Sequence, residues 1–383
     1  MKCKLLDICS FRKGKVEVEN LNVKNYISTE NMLPNKCGIT EASSLPTVSL
    51  TQEYKNGDVL VSNIRPYFKK IWQAQYDGGC SNDVLVFVPK TNTDKDFLYY
   101  VLADDDFFTY SMATSKGTKM PRGDKTSIMQ YEVPLIDLQV QEKIASVLKA
   151  LDKKIELNNE INNNLEEQLS ALFANMFGHS IDSLDNSDIK LGDLIESVDN
   201  RGKTPPLSDE PTDYPIIDVR ALSGNSRIID YTNCTKYVSK ETYNNWFRSG
   251  HPKEYDILIS TVGSLAEMKI FLGTIGCIAQ NVVGFRTKGI SPLYLYQYLN
   301  YIKNDLVAYN IGSVQPSIKV THIIKHSIYV ASKEDIEIFD SIARNITKKI
   351  FANCQENEAL KQMRDTLLPK LMSGELDVSN IKI

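Results

Sequence analysis

The sequence predicts a mixed α/β protein that is built twice. Two similar domains are expected to be related by a pseudo-twofold axis and separated by an antiparallel pair of long coiled-coil helices. Three observations lead to this prediction. Residues 117–176 recur without a gap 195 positions later. Two long segments are almost free of Pro and Gly, and the segments before them carry short β-type runs. A chain of 383 residues is also long enough for two or more domains.

The repeat matches both turn residues and apolar positions. Lys153-Lys154-Ile155 recurs unchanged as Lys348-Lys349-Ile350. The other matched pairs are Gly117 with Gly312, Thr118 with Ser313, Pro121 with Pro316, Ile128 with Ile323, Val133 with Ile328, Leu135 with Val330, Asn158 with Asn353 and Asn162 with Asn357. Upstream of this stretch Asp58–Ile64 resembles Asp256–Val262 at an offset of 198, which indicates loops of unequal length between the copies.

Four segments alternate along the chain. Residues 1–135 are predicted to form the first domain, 136–178 a central helix, 179–331 the second domain, and 332–383 a C-terminal helix and tail. The central helix is expected to be on the order of 60 Å long at ~1.5 Å per residue. Gly178 is the expected C-terminal cap of this helix, and Pro369 is expected to kink or end the second one.

Both helices carry a heptad pattern that predicts a shared apolar seam with two Asn near its middle. The seam residues are Ile144, Leu148, Leu151, Ile155, Asn158, Asn162 and Leu165 in the first helix, and Phe339, Ile346, Ile350, Asn353, Asn357 and Leu360 in the second. Antiparallel pairing would bring the four Asn into one layer, where the amides can bond one another. Parallel pairing in register, and helices that pack only on their own domains, are the alternatives.

The overall composition excludes several classes of protein. The chain is 42% hydrophobic and 24% charged, which is typical of a globular protein. No signal peptide and no apolar run of about 20 residues is present, so a cytoplasmic protein without membrane contact is expected. The 7 Cys are scattered without CxxC spacing, which argues against a disulfide framework and a zinc site. A net charge of −4 does not by itself suggest nucleic acid, because the distribution of charge matters more.

Motifs for catalysis are scarce. Gly202-Lys203-Thr204 looks like the end of a phosphate-binding loop, but position 197 is Ser instead of Gly and Pro205 prevents the required helix start. Dinucleotide-binding, zinc-protease and serine-hydrolase signatures do not occur. We therefore expect no catalytic residue, metal or cofactor in this chain.

Two cation-rich segments of the first domain are better candidates for contacts with nucleic acid. Residues 65–70 have three cations and two aromatic rings, and residues 116–125 have four cations and one acid. The candidates there are Arg65, Lys69, Lys70, Lys116, Lys119, Arg122 and Lys125. Those of the second domain are Arg201, Lys203, Arg220, Lys253, Gln315 and Lys319. A solvated charged loop is the alternative interpretation.

The repeat shows where the two copies differ. Lys119 and Arg122 of the first copy correspond to Val314 and Ser317 of the second, although the surrounding Gly and Pro are kept. Two DNA-reading domains with different sequence preferences would show this pattern, and so would neutral drift in a loop.

Taken in order, several motifs make the chain resemble a specificity subunit of a type I restriction-modification system. The motifs are Gly57–Ser62, Ile64-Arg65-Pro66, Val133-Pro134-Leu135, Gln141–Ala145, Leu151–Ile155 and Leu367–Leu376. The resemblance covers essentially the whole chain. It departs from the family where the second helix begins, because Ser332–Asp335 lacks the Pro and Gln found at Pro134 and Gln141.

The resemblance implies two target-recognition domains, each of which reads one half of a bipartite site in double-stranded DNA. The two helices would act as a spacer. Two methyltransferase subunits that carry S-adenosylmethionine would bind the helices, and up to two motor-nuclease subunits that use ATP and Mg would join them. The chain itself would be non-catalytic.

Two alternatives stay open at this point. One is a specificity subunit of a methylation-only complex, and the other is a coiled-coil scaffold with two protein-binding domains.

Overall fold

The computed structural model describes residues 2–184, 187–273 and 275–378. The last five positions of the expected C-terminal tail, 379–383, lie outside the described residues, as do 1, 185–186 and 274 of the two domains. The chain forms two compact units, Met1–Ile155 with Ala359–Ile383 and Glu156–Glu358. Each unit therefore combines one mixed domain with a part of each long helix.

The described residues of the first unit form ten strands in three sheets. The strands are β1 (Lys2–Lys4), β2 (Cys9–Phe11), β3 (Lys15–Glu17), β4 (Tyr26–Ile27), β5 (Leu50–Tyr54), β6 (Val59–Ser62), β7 (Ile71–Gln73), β8 (Gly78–Cys80), β9 (Val84–Pro89) and β10 (Glu132–Pro134). Two sheets have four strands each, in the orders β2-β9-β6-β7 and β3-β5-β8-β4, and β1 pairs with β10. All pairings are antiparallel except β4 with β8.

The second unit repeats the first of these sheets. Its strands are β11 (Ile195–Val198), β12 (Ile257–Ser260), β13 (Met268–Ile270) and β14 (Val282–Thr287), in the antiparallel order β11-β14-β12-β13. The register is also the same, because Val59 lies opposite Phe87 in one copy and Ile257 lies opposite Phe285 in the other. The mixed α/β prediction is confirmed, and the duplication extends to strand order and register.

Most helices are short, and two are long. The helices are α1 (Leu5–Ile8), α2 (Lys95–Ala103), α3 (Asp105–Ala113), α4 (Lys125–Ile128), α5 (Leu138–Phe173), α6 (His179–Asp182), α7 (Lys240–Asn245), α8 (Pro292–Tyr301), α9 (Lys303–Ala308), α10 (Val320–Ile323) and α11 (Lys333–Ser373). The helices α5 and α11 are the two that the sequence predicts, and each one contributes residues to both units.

The structure contradicts the predicted cap of the first long helix and excludes an end of the second one at Pro369, where a kink stays a prediction. Gly178 does not cap α5, because it has helical φ −53° within a π-helical turn, Ala174–Gly178, that continues into α6. A Cβ at Gly178 would lie 2.9 Å from the Tyr301 hydroxyl, so close packing explains this glycine. Pro369 does not end α11, which continues to Ser373 and is followed by Gly374 with φ +77°.

Within the second unit the two long helices pair through their asparagines. Asn158 donates to Asn357 Oδ1 at 2.9 Å, and Asn353 donates to Asn162 Oδ1 at 2.7 Å. Moving forward along α5 corresponds to moving backward along α11, so this stretch of the pair is antiparallel. All four amides are at least nine-tenths buried, and each makes a hydrogen bond to another of them. The pseudo-twofold axis and the coiled-coil geometry of the whole pair stay predictions.

The helices also pack on the domain of their own unit. In the first unit Asp152 of α5 accepts from the Tyr100 hydroxyl and from Arg364 of α11, both at 2.7 Å. In the second unit Arg227, which has no exposed surface, donates to Glu166 of α5 at 2.6 Å and to Thr347 of α11 at 2.9 Å. The guanidinium of Arg227 therefore bonds the second domain to both helices, whereas Tyr100 bonds the first domain to α5 through Asp152, which in turn pairs with α11.

The asparagine layer leads to a stability prediction. Changing Asn162 to Ala leaves the buried amide of Asn353 without its acceptor, which should cost about 1–3 kcal/mol of unfolding free energy. The matched control is Asn163→Ala, since Asn163 is exposed on the same helix and should change stability by at most about 0.5 kcal/mol. Urea unfolding measures both. Equal losses in the two variants would show that the buried bond contributes nothing specific.

Candidate nucleic-acid interface

In the first domain the two cation-rich segments meet at the end of strand β6. Ile64 and Arg122 form an antiparallel bridge. The Arg65 N–H donates to the Pro121 carbonyl at 2.8 Å, and the Gly123 N–H donates to the Asn63 carbonyl at 3.2 Å. We call this contact between 63–65 and 121–123 the loop junction. It brings together two loops that are more than fifty residues apart in sequence.

The second domain has the same loop junction, formed by 261–263 and 316–318. Val262 and Ser317 form the bridge. The Gly263 N–H donates to the Pro316 carbonyl at 2.9 Å, and the Ile318 N–H donates to the Thr261 carbonyl, also at 2.9 Å. Every partner corresponds to its counterpart in the first domain at the offset of 198 or 195. The repeat therefore preserves a main-chain arrangement.

A third main-chain bond links the loop junction to the turn before the adjacent strand of the sheet, which is β9 in the first domain and β14 in the second. The Asn63 N–H donates to Asp83 O at 2.8 Å, and the Thr261 N–H donates to Asn281 O at 2.7 Å. Each turn lines a cavity of its own domain. Ser81 and Asp83 line a cavity of about 390 Å³ in the first domain. Gln280 and Asn281 line one of about 290 Å³ in the second domain. Sequence reasoning missed both turns, although the offset of 198 relates Asp83 to Asn281.

The aligned glycines of the repeat are required for different local reasons. Gly117 has φ +91°, a left-handed conformation that favours glycine. At Gly312 a Cβ would lie 1.9 Å from the Gln315 carbonyl oxygen, so the backbone approaches too closely for any side chain. Both glycines shape the loop that leads into the loop junction.

Arg65 adopts a conformation that is unusual for its residue type. Its φ is +51°, whereas its counterpart Gly263 has φ +84°. A left-handed L-residue costs roughly 1–2 kcal/mol, which glycine avoids. The buried Nε of Arg65 and the buried Oδ1 of Asn63 have no hydrogen-bond partner among the described residues. Strained backbone and unsatisfied polar atoms are typical of functional sites.

The other predicted cations of the first domain surround this region in different environments. Lys69 pairs with Asp105 at 2.7 Å, and Lys70 donates to the Thr29 carbonyl at 2.6 Å. Burial lowers the pKa of Lys70. These two lysines are partly engaged within the domain.

The cations of the second loop are more exposed. Arg122 keeps 55% of its side chain exposed while pairing with Asp83 at 3.0 Å. Lys116 pairs with Asp124, and their hydrogen bond lowers the pKa of Asp124 to about 2. Lys119 is exposed, and Lys125 is exposed with its ammonium 6.0 Å from the Phe11 ring centroid.

In the second domain the structure brings together only some of the predicted residues. Gln315 and Lys319 are exposed on the loop that forms the loop junction. Arg220 lines the cavity beside Asn281 and pairs with Asp218 at 3.0 Å. Lys203 is exposed next to Thr204, which accepts from the Gln280 amide. These four residues lie on the loop-junction loop itself or near the turn that is bonded to it.

Two predicted residues are placed elsewhere or are engaged locally. Lys253 is exposed, but strand β12 separates it from Gly263, so it lies at the opposite end of that strand. The Lys253 N–H caps the turn by donating to Asp256 at 2.8 Å. Arg201 forms a two-pronged pair with Asp199, at 2.9 and 2.7 Å.

No group of three or more potential metal ligands occurs in 2–184, 187–273 and 275–378. Within the same ranges no helix is long and apolar enough to cross a membrane.

Comparison with known proteins identifies relatives over nearly the whole chain. The sequence model of the family described as "Type I restriction modification DNA specificity domain" matches twice, at residues 1–167 and 184–362. The MjaIX specificity subunit of a type I restriction enzyme from Methanocaldococcus jannaschii is 25% identical over 77% of this chain and 72% of its own length. The HindI specificity subunit from Haemophilus influenzae is 24% identical over 92% and 94%.

A solved structure has the same fold. The crystal structure of the S subunit of a type I restriction-modification system from M. genitalium matches with a TM-score of 0.54 and 17% identity. The match covers 97% of this chain and 96% of that one.

The conformation of Arg65 leads to a prediction on stability. Changing Arg65 to Gly removes the left-handed strain, so the unfolding free energy should stay the same or rise by up to about 1 kcal/mol. Lys119→Gly is the control, because Lys119 lacks a positive φ and should gain nothing. Chemical denaturation measures both variants. A loss above about 1 kcal/mol for Arg65→Gly would mean that the side chain stabilises the fold and is not kept for a ligand.

Proposed function

Since the chain belongs to the type I restriction-modification DNA specificity family, we infer that each of its two domains reads one half of a bipartite DNA site. The chain is the specificity subunit of such a system. The observation that best supports two separate readers is the duplicated loop junction. Its main-chain bonds are the same in both domains, whereas the exposed side chains differ. Main-chain bonds fix the shape of a loop, and side chains supply contacts to base edges.

We assign the DNA contacts of the first domain to the two loops of its junction. Arg122, Lys119 and Arg65 are the leading candidates because they lie on the joined loops, while Lys69, Lys70, Lys116 and Lys125 surround them. In the second domain the corresponding contacts are Gln315 and Lys319, with Arg220 and Lys203 near the turn at 280–281. Lys253 lies at the far end of β12 from the loop junction, so its contribution is limited to a phosphate contact. Arg201 would have to give up its ion pair with Asp199 in order to bind DNA.

The chain is expected to act with partner subunits that perform the chemistry. We propose two methyltransferase subunits, which bind S-adenosylmethionine, and up to two motor-nuclease subunits, which use ATP and Mg. We further propose that helices α5 and α11 form an antiparallel spacer between the recognition domains. The support for a spacer is that α5 and α11 are each continuous and pair through Asn158 and Asn357.

The assignment of Arg122 can be tested with DNA duplexes in which either half-site is scrambled. Arg122→Ala should weaken binding of the intact complex by about 1–3 kcal/mol if Arg122 contacts a base. If Arg122 contacts a phosphate, the slope of log affinity against log salt concentration should decrease in magnitude by about one. Ser317→Ala is the control, because Ser317 occupies the same position of the second domain. A loss of affinity that remains when the first half-site is scrambled, but disappears when the second is scrambled, would contradict the domain assignment.

The spacer proposal predicts a change in the length of the DNA site. A seven-residue insertion in each of α5 and α11 keeps the heptad phase and adds ~10 Å to the pair. The unspecified stretch between half-sites should then lengthen by about three base pairs, at ~3.4 Å per pair, while the half-sites stay the same. Sequencing of methylated adenines in cells that express the variant measures this. Altered half-sites with an unchanged gap would contradict the proposal.

A further inference from the structure

We propose that Tyr67 and Phe68 form an aromatic platform that stacks on bases of the first half-site, a contact that the second domain lacks. This inference rests on the proposed function and adds a mode of contact to it. The aromatic platform consists of these two rings, which lie in a single turn of 3₁₀ helix, Pro66–Phe68, directly after Arg65.

The platform is exposed although it is apolar. Tyr67 is 49% exposed and Phe68 is 38% exposed, and their ring centroids are 4.7 Å apart. Buried aromatic side chains make a large contribution to stability, so two neighbouring rings left at the surface forgo that gain. An exposed aromatic pair of this kind indicates a contact with a ligand.

The turn is held in place by main-chain bonds from Arg65 to Pro121 at its start and from residues 35 and 36 at its end. The Asn35 N–H donates to Phe68 O at 2.8 Å, and the Lys36 N–H donates to Lys69 O at 2.9 Å. Both flanking residues are left-handed, Arg65 with φ +51° and Lys69 with φ +49°. The left-handed pair belongs to the backbone that both domains share, because Gly263 (φ +84°) and Ala266 (φ +54°) mark the same bend in the second domain. In the first domain this fixed bend carries the two exposed rings.

The surroundings of the platform favour DNA as the ligand. The ammonium of Lys70 lies 5.7 Å from the Phe68 ring centroid. The loop junction places the exposed Met120, Lys119 and Arg122 on the segment that is bonded to Arg65. Cations suit phosphates, and every base has a face on which an aromatic ring can stack. Apolar side chains that insert between base steps are also a known way to open a duplex locally.

The second domain has no equivalent platform. The stretch between the two left-handed residues is one residue shorter there, because Gly263 matches Arg65 at an offset of 198 whereas Ala266 matches Lys69 at 197. The two residues between them, Ser264 and Leu265, carry no aromatic ring. Val314, which corresponds to Lys119, is the most exposed apolar residue of the second loop, at 98%. The two domains should therefore contact their half-sites with different shares of stacking and charge.

The test measures binding of the intact complex to a duplex that carries its mapped site, between 50 and 300 mM salt. Tyr67→Ala and Phe68→Ala should each weaken binding about 5- to 150-fold, the range for the loss of one stacked base. The slope of affinity against salt should not change, because no cation is removed. Tyr67→Trp should retain the affinity, and Tyr67→Leu should lose most of it, because leucine is apolar but has no ring. Tyr76→Ala is the matched control and should bind like the wild type, because Tyr76 is a 39% exposed aromatic residue of the same domain at the other end of β7.

The outcomes separate this inference from the proposed function. Wild-type affinity in both alanine variants would overturn the platform while leaving two DNA readers in place. Variants that bind DNA normally but lose a co-purifying subunit would overturn it in favour of a protein contact. Wild-type complex that binds no DNA with a steep salt dependence would contradict the proposed function itself.

Discussion

The loop junction is the constraint on which the proposed recognition surface of each domain depends. Two main-chain hydrogen bonds, which together make an antiparallel bridge, join a loop after a central strand to a loop before a short helix. All of the donors and acceptors belong to the main chain, so the junction requires no particular side chain, although the left-handed conformation at 65 and 263 favours glycine. Arg65 can therefore stand where the second domain has Gly263, and Arg122 where it has Ser317. A loop whose shape is fixed by main-chain hydrogen bonds can carry different side chains, and such a loop is suited to reading different DNA sequences.

Buried polar side chains supply a second constraint, which fixes how α5 and α11 pair and how the second domain sits on them. The four buried asparagines satisfy one another, and a shift of register would separate their amides in a buried environment. Arg227 acts in the same way within the second unit. A fully buried guanidinium is costly unless it is paired, and the carboxylate of Glu166 and the hydroxyl of Thr347 meet it at 2.6 and 2.9 Å. These groups make the position of the domain on its helices specific.

Much of this architecture could be predicted from the sequence, because repeats and periodicity are local patterns. The two long helices, the asparagine layer and the duplicated strands all follow from the spacing of residue types. Gly178 was misinterpreted because tertiary packing decides its role. A glycine that makes room for Tyr301 looks the same in sequence as a helix cap. Arg227 was missed because it lies in an irregular loop with no pattern around it.

The candidate contacts were predictable as cation-rich loops, but their arrangement was not. Nothing in the sequence relates 63–65 to 121–123, and nothing separates Lys253 from Gln315. The left-handed Arg65 was also hidden, because a positive φ at arginine has no sequence signature. The repeat alone contained a signal, since Gly263 marks the same position in the other copy.

We infer that a common backbone junction presents independent side-chain sets to the two half-sites. Sequencing of methylated adenines in cells that express the complex with Lys119→Val and Arg122→Ser tests this inference, because the two changes give the first loop the residues of the second. We expect a bipartite motif whose first half-site is altered or relaxed, with the second half-site and the gap unchanged. Alteration of both half-sites, or an unaltered motif, would overturn the inference.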